Sequence, residues 1–190
     1  MVAGGREVEI KLPFASAADA TKRLLALGAR RVRDREFEDN VLYDFPTREL
    51  RLSGRLLRLR RSGTRALLTF KGPVEGEFRH KVRAEHETEV SDPDALARAL
   101  EGLGLFPQYR YQKYRTTFEV EGLEACVDET PVGCYVELEG DAAAIDRAAA
   151  RLGFGPEGYV LATYRELHEQ AARARGEAPG DLVFPERPIR

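Results

Sequence analysis

Cysteine and histidine are scarce in this chain: two of the first, Cys126 and Cys134, and three of the second, His80, His86 and His168, among 190 residues. With Cys126 on the face of Asp128 and Cys134 opposite the face of Glu137 and Glu139, the two thiols point to different sides of a sheet. A disulfide needs converging side chains, so none is expected. The histidines show no HExxH or other zinc spacing and read as surface or strand residues. No apolar run approaches the roughly 20 residues that span a bilayer, and the N-terminus carries no apolar signal-peptide core. A cytoplasmic protein with no membrane partner is the expectation. Net charge is only −2, from 30 basic and 32 acidic residues, which removes the broad basic footprint of a nucleic-acid binder. Walker, GxGxxG, Ser-His-Asp and catalytic-cysteine signatures are all missing. So are an internal repeat and any linker strong enough to split the chain, which reads as one domain over residues 1–176 with an irregular tail over 177–190.

What the chain does have is sorted charge. Charged residues make up 33% and hydrophobic residues 43%, the balance of a globular protein with an unusually large charge content. From Glu7 to Leu12 the two kinds alternate strictly, so a strand would project Glu7, Glu9 and Lys11 from one face. The pattern returns in Leu56–Arg60, Ala66–Lys71, Phe78–Val90, Tyr111–Glu121 and Tyr135–Glu139. With 39–45 and 123–128 this gives about eight strands. Ser62-Gly63-Thr64 and Thr130-Pro131-Val132-Gly133 mark turns between them.

Helices are expected over 15–27, ending at Gly28, over 91–104, over 141–152 and over 159–174. Ser91-Asp92-Pro93-Asp94 is a strong helix start, with a capping side chain, a first-turn proline and acids near the positive dipole end. Strands interrupted by helices in this order predict an α+β domain with an antiparallel sheet. If eight strands close, the interior is wide enough for side chains or one small ligand.

Parity then assigns an inner face. Its basic set is Lys11, Arg58, Arg60, Lys71, Lys81, Arg83, Lys113 and Arg115; its acidic set is Glu7, Glu9, Glu85, Glu87, Glu89, Asp128, Glu137 and Glu139. The alternate positions are apolar, among them Ile10, Leu59, Phe118, Val136 and Leu138. The opposite assignment, with charges outward and apolar residues plugging an ordinary barrel, is the competing reading, since any half-exposed antiparallel strand alternates. Three features favour charges inside. Basic residues pair up by strand, as in Arg58/Arg60 and Lys81/Arg83. Acidic pairs such as Glu7/Glu9 and Glu137/Glu139 are unfavourable without a counter-ion. The amphipathic helices also need the apolar faces to pack on. Carboxylates around such a cavity suit hard cations, Mg²⁺ or Mn²⁺, while arginine forks and lysine ammoniums match phosphate oxygens. Together they suit phosphoryl transfer by positioning and electrostatics.

These residues also resemble a known family. Glu7-x-Glu9-x-Lys11 resembles the ExExK signature of the CYTH superfamily, the triphosphate tunnel metalloenzymes. The order of later segments is similar: Asp39-Asn40-x-x-Tyr43-Asp44, Leu56-x-Arg58-x-Arg60, Thr69-Phe70-Lys71-Gly72-Pro73 and Arg83-x-Glu85-x-Glu87-x-Glu89. Lys113-x-Arg115, the run from Asp128 to Glu139 and Thr163-Tyr164-Arg165-Glu166-Leu167 complete the set. The resemblance implies an eight-stranded antiparallel closed β-barrel, a tunnel flanked by helices. It implies Glu7, Glu9, Glu137 and Glu139 as ligands of Mg²⁺ or Mn²⁺, with Asp128 in the metal shell or ordering a basic neighbour. Lys11, Arg58, Arg60, Lys71, Arg83, Lys113 and Arg115 would hold phosphates, joined by Lys81 from the inner face. Lys11, Arg58, Lys71 and Lys113 are the candidates for direct catalytic charge stabilisation. The implied partner is a triphosphate-containing small molecule (tripolyphosphate, thiamine triphosphate or a nucleoside triphosphate). The implied reaction is metal-dependent hydrolysis, with class IV adenylyl cyclase chemistry as the alternative. The exposed helices leave room for a homodimer.

Overall fold

The computed structural model describes residues 5–76 and 79–185. Eight strands form it: β1 (Gly5–Phe14), β2 (Arg30–Asp44), β3 (Leu56–Ser62), β4 (Arg65–Lys71), β5 (Lys81–Glu89), β6 (Phe106–Val120), β7 (Leu123–Thr130) and β8 (Gly133–Glu139). They pair antiparallel in the order β1-β5-β4-β3-β2-β6-β7-β8 and close on themselves. Closure gives every strand a neighbour on each side, which limits the bare edge by which such a sheet could join another chain.

The apolar parity faces outward, under helices. Ile10, Leu12, Phe118, Leu123, Val136 and Leu138 are buried against α1 (Ala17–Ala26) and α4 (Ala142–Arg151), which contribute Ala20, Leu24, Ile145 and Ala149. Burying one such large side chain contributes roughly 1.5–3 kcal/mol, so the packed core belongs outside the barrel and the bore is free for charge. That decides between the two parity readings. On the far side, Leu100 of α3 (Pro93–Gly102) meets Tyr43 and Leu59. The starts of these helices are fixed by their caps: Ser16 accepts from the Asp19 N–H, Asp92 from the Asp94 and Ala95 N–H groups, and Asp141 from the Ala144 N–H. The turn from β8 into α4 requires Gly140, at φ +146°, where a Cβ would lie 2.7 Å from Leu123 Cδ2.

Several boundaries differ from the sequence expectation. β2 begins at Arg30, nine residues before the expected 39, because Arg30–Glu36 is almost wholly charged and shows no alternation to read. It is a strand by pairing with β6, with register shifts between Arg31 and Arg33 and between Arg33 and Glu36. A short helix, α2 (Glu49–Leu52), was not foreseen; the Asp44 carboxylate organises it by accepting from the N–H groups of Phe45, Leu50 and Arg51. The last helix, α5 (Tyr164–Ala174), starts five residues later than 159, at a Thr163/Glu166 capping box after a 3₁₀ turn at Pro156–Gly158. The run expected from Phe78 begins as β5 at Lys81; Phe78 lies outside the described residues. Within the tail, Leu182 is buried with Tyr109, Tyr111 and Tyr164.

Candidate active site

Within the barrel runs a cavity of about 1090 Å³, bordered by residues of all eight strands except β7's central face, and of α2 and α5. Every basic residue assigned to the inner face by parity borders it. Seven of them, Lys11, Arg58, Arg60, Lys71, Lys81, Arg83 and Lys113, are buried from outside solvent. Isolated buried charges cost several kcal/mol each, so such a lining exists only if the charges are paired. They are.

Across β1, β4 and β5, Glu7 accepts from Lys71 Nζ at 2.5 Å and from Arg83 Nε at 3.0 Å, and Lys71 also meets Glu85 at 2.9 Å. Glu9 pairs with Lys11 at 3.3 Å and Lys81 at 3.2 Å. Lys11 reaches on to Glu137 at 3.4 Å, which Arg115 also contacts. Across β2 and β3, Glu38 takes Arg60 at 3.3 Å and Lys113 at 3.6 Å, while Arg60 Nε donates to Asn40 Oδ1. Arg58 donates to the Tyr111 hydroxyl at 3.2 Å and to Thr69 Oγ1 at 3.0 Å, and faces Glu87 at 3.6 Å.

Charge in the bore is set by these neighbours. Burial works against ionisation of Glu9, but Lys11 and Lys81 outweigh it and hold the carboxyl well below the usual carboxylate range. Glu137 behaves alike, with Lys11, Lys113 and Arg115 overcoming its burial. Burial pushes the Lys81 ammonium down to about 8; Glu9 opposes this, and Lys11 and Arg83 add to it. The Tyr111 phenol is held at about 8, because Arg58, Lys113 and Arg60 together outweigh its burial. Glu139 is pushed up to about 8 by burial and by Glu7, Glu85 and Glu124.

The structure therefore separates the expected carboxylates. Glu7, Glu9, Glu137 and Glu139 border the cavity. Asp128 does not: it is fully buried beneath the lining and accepts from Lys113 at 2.7 Å, Arg115 at 2.6 and 2.7 Å, and the Tyr164 hydroxyl at 2.7 Å. With its oxygens so occupied, its geometry is that of a group that orders basic neighbours rather than a ligand facing the bore. Glu87 borders the cavity, and Glu89, exposed at the end of β5, does not. His80, read as a surface or strand residue, borders the cavity mouth and bonds Asp146 at 2.8 Å; both cysteines are free thiols. Sequence reasoning missed Glu38, Thr69, Tyr111 and Tyr164. Glu38 was legible in principle, two residues from Asn40, but lay outside the segments where alternation is clear; Tyr111 opens an alternating run in phase with Lys113 and was passed over because it carries no formal charge. Tyr164 reaches the bore only through the docking of α5.

Among the described residues no three carboxylate, histidine or cysteine groups converge as a ready-made cation cage. The donor chemistry nevertheless suits a hard cation. No cation pairs with Glu139 among the described residues, and Glu9, Glu139 and Glu124 face one another in register across β1, β8 and β7. Like charges opposite one another call for a counter-ion, and Mg²⁺-type ions bind through a few carboxylates together with phosphate oxygens.

Fold and site together define a closed antiparallel tunnel protein whose bore is lined by paired cations and carboxylates. The chain belongs to the CYTH domain family, whose sequence model matches residues 5–153. That superfamily is in general metal-dependent. The chain is 26% identical over 134 residues to a Methanocaldococcus jannaschii protein provisionally named adenylate cyclase, covering 70% of this chain and 75% of the relative. Its fold is similar to that of a Vibrio parahaemolyticus protein provisionally described as an adenylate cyclase, with TM-score 0.74, 21% identity, and 87% and 98% of the two chains covered. It is also similar to that of a Hippeastrum protein described as an adenylyl cyclase with a dominant triphosphatase activity, with TM-score 0.59, 18% identity, and 91% and 96% covered. No helix among the described residues is long and apolar enough to cross a membrane.

Proposed function

We propose that the bore binds a triphosphate-containing small molecule and, with Mg²⁺ or Mn²⁺, catalyses transfer of its terminal phosphoryl group to water. The observation that carries this reading is the set of buried cations facing one bore, in which the Nε of Arg58 has no hydrogen-bond partner among the described residues. A buried guanidinium donor without an acceptor is costly, and a phosphate oxygen is the acceptor its fork geometry fits.

The residues divide the work. Arg58, Arg60, Arg83 and Arg115 would grip phosphate oxygens by paired N–H bonds, and Lys81 would add a point charge. Lys11, Lys71 and Lys113 would lie against the charge that develops as the bridging P–O bond lengthens. On binding, phosphates replace carboxylates as partners of these cations, so the lining needs little rearrangement. Glu7, Glu9, Glu137 and Glu139 would hold the metal ion, whose charge would offset that of the phosphates. Asp128 would keep Lys113 and Arg115 in place from behind.

The second reading is adenylyl cyclase chemistry, in which the ribose hydroxyl of ATP attacks the α-phosphate; the name of the M. jannaschii relative favours it. A product assay decides between them, with tripolyphosphate, thiamine triphosphate and ATP each supplied with Mg²⁺ and with Mn²⁺. Free phosphate is the expected product. Cyclic AMP and pyrophosphate from ATP would replace hydrolysis with cyclisation, and no product from any of the three would refute both. Glu9→Gln and Glu137→Gln should each abolish metal-dependent turnover in a folded protein.

A further inference from the structure

β7 ends at Thr130, and the last β6 residue in register with it is Tyr114, opposite Glu129. The half of β6 before Tyr114 therefore pairs with β2 on one side and presents backbone groups on the other. Part of the C-terminal segment takes that place. The Leu182 N–H donates to the Arg110 carbonyl at 2.9 Å and the Gln112 N–H donates to the Leu182 carbonyl at 2.8 Å, a parallel bridge. The Asp181 carboxylate accepts from the Arg110 N–H at 2.8 Å, and the Gln112 side-chain oxygen accepts from the Phe184 N–H at 3.1 Å. The Phe184 ring sits 5.2 Å from that of Tyr114.

This bridge puts Leu182, 2% exposed, behind the tyrosines that face the bore. Tyr111 gives Arg58 its hydroxyl acceptor. Tyr164 donates to the Asp128 oxygen on which Lys113 and Arg115 converge, and its ring lies 5.3 Å from Lys113 Nζ and 5.5 Å from Lys11 Nζ. Arg58 thus depends on Tyr111, and Lys11 and Lys113 lie over Tyr164, two rings that belong to one buried cluster with Leu182. A void behind closely packed rings lets them shift, because the lost contacts are not replaced. Residues 154–185 also lie beyond the stretch matched by the family model.

We propose that residues 179–185 are a positioning strap for the bore, and that Leu182 is the positioning residue that fixes Tyr111 against Arg58 and Tyr164 against Asp128. The affinity part of the test rests on the triphosphate reading; the tyrosine part does not. Tyr111 is surrounded by Arg58 and Arg60 of β3, Lys113 and Tyr109 of its own strand, Tyr164 of α5 and Leu182, while Asn40 of β2 bonds its carbonyl. The test uses full-length Leu182→Ala and the conservative Leu182→Ile, with Tyr111→Phe to assign the phenol's tyrosinate absorbance. In Leu182→Ala the Tyr111 titration should rise from about 8 towards the ordinary tyrosine value near 10. Tripolyphosphate affinity by calorimetry should weaken about tenfold, and Leu182→Ile should restore both. Should Leu182→Ala fail to fold, Asp181→Ala, which removes only the Arg110 N–H acceptor, gives the same comparison. A Tyr111 titration that stays in place overturns the strap. Failure of the unsubstituted protein to bind tripolyphosphate overturns the triphosphate reading instead, and leaves the tyrosine result to decide the strap.

Discussion

Arg58 shows how much of this site is a matter of single donors and acceptors. Its Nη atoms are taken by Tyr111 and Thr69, while its Nε has no acceptor among the described residues. A hydrogen bond to a charged group is worth roughly 1.5–3 kcal/mol, so Arg58→Ala should weaken tripolyphosphate binding by about 10- to 100-fold at low ionic strength. Calorimetry across a salt series should show that loss shrinking as screening grows. Arg58→Lys should recover only part of it, since an ammonium lacks the planar fork.

Glu139 makes a different prediction, in metal-free protein. Its carboxyl binds a proton up to about pH 8 in the folded chain but only to about 4.5 when unfolded. The folded state therefore holds more protons between those values, and its stability falls as pH rises through that window. Because Glu139 is exposed at the end of β8, solvent screens much of the effect. Urea unfolding of Glu139→Gln at several pH values should show a flatter profile than the parent from pH 5 to 8. An identical slope would remove Glu139 from the acidic cluster. At this scale the sequence was informative about faces: each of the eight basic residues assigned by parity borders the cavity. It said little about partners, because Glu38, two positions before Asn40, sits in a charged run where no period can be read.

Elements were legible where two periodicities agree. β1, β3, β4 and β8 each hold a strictly alternating stretch, and each of α1, α3, α4 and α5 has a capping side chain at its start. β2 and β6 were only half legible. Each is fifteen residues long, and their outer ends are strands because they pair with one another, not because of local pattern. α2 was illegible, since four residues hold no helical period; the Asp44 carboxylate supplies what the helix lacks. The capping box of α5 is worth testing because this helix carries Tyr164 into the bore. Thr163→Ala should lower stability by about 1 kcal/mol, read as a lower urea midpoint with an unchanged slope.

For the molecule as a whole, the packed core surrounds the barrel and the charged bore lies within it, so the two can be damaged separately. Phe118 is fully buried in the apolar cluster under the helices and is approached by Arg31. Phe118→Ala should cost about 3–5 kcal/mol of stability, and the fraction that remains folded should bind tripolyphosphate with parental affinity. Arg58→Ala should do the reverse, since Arg58 holds no part of that core.

Local order in the chain was enough to determine which side chains face inward, where most helices begin and that the strands share one charged interior. Alternation and capping act over two to four residues, and the sequence displays them directly. Only the folded barrel decided which carboxylate meets which cation, that Asp128 is sealed behind Lys113 and Arg115, and that Leu182 backs the tyrosines of the bore. Those contacts join residues tens of positions apart. They depend on the register between strands and on the docking of α5 and the C-terminal segment, which no short-range pattern encodes.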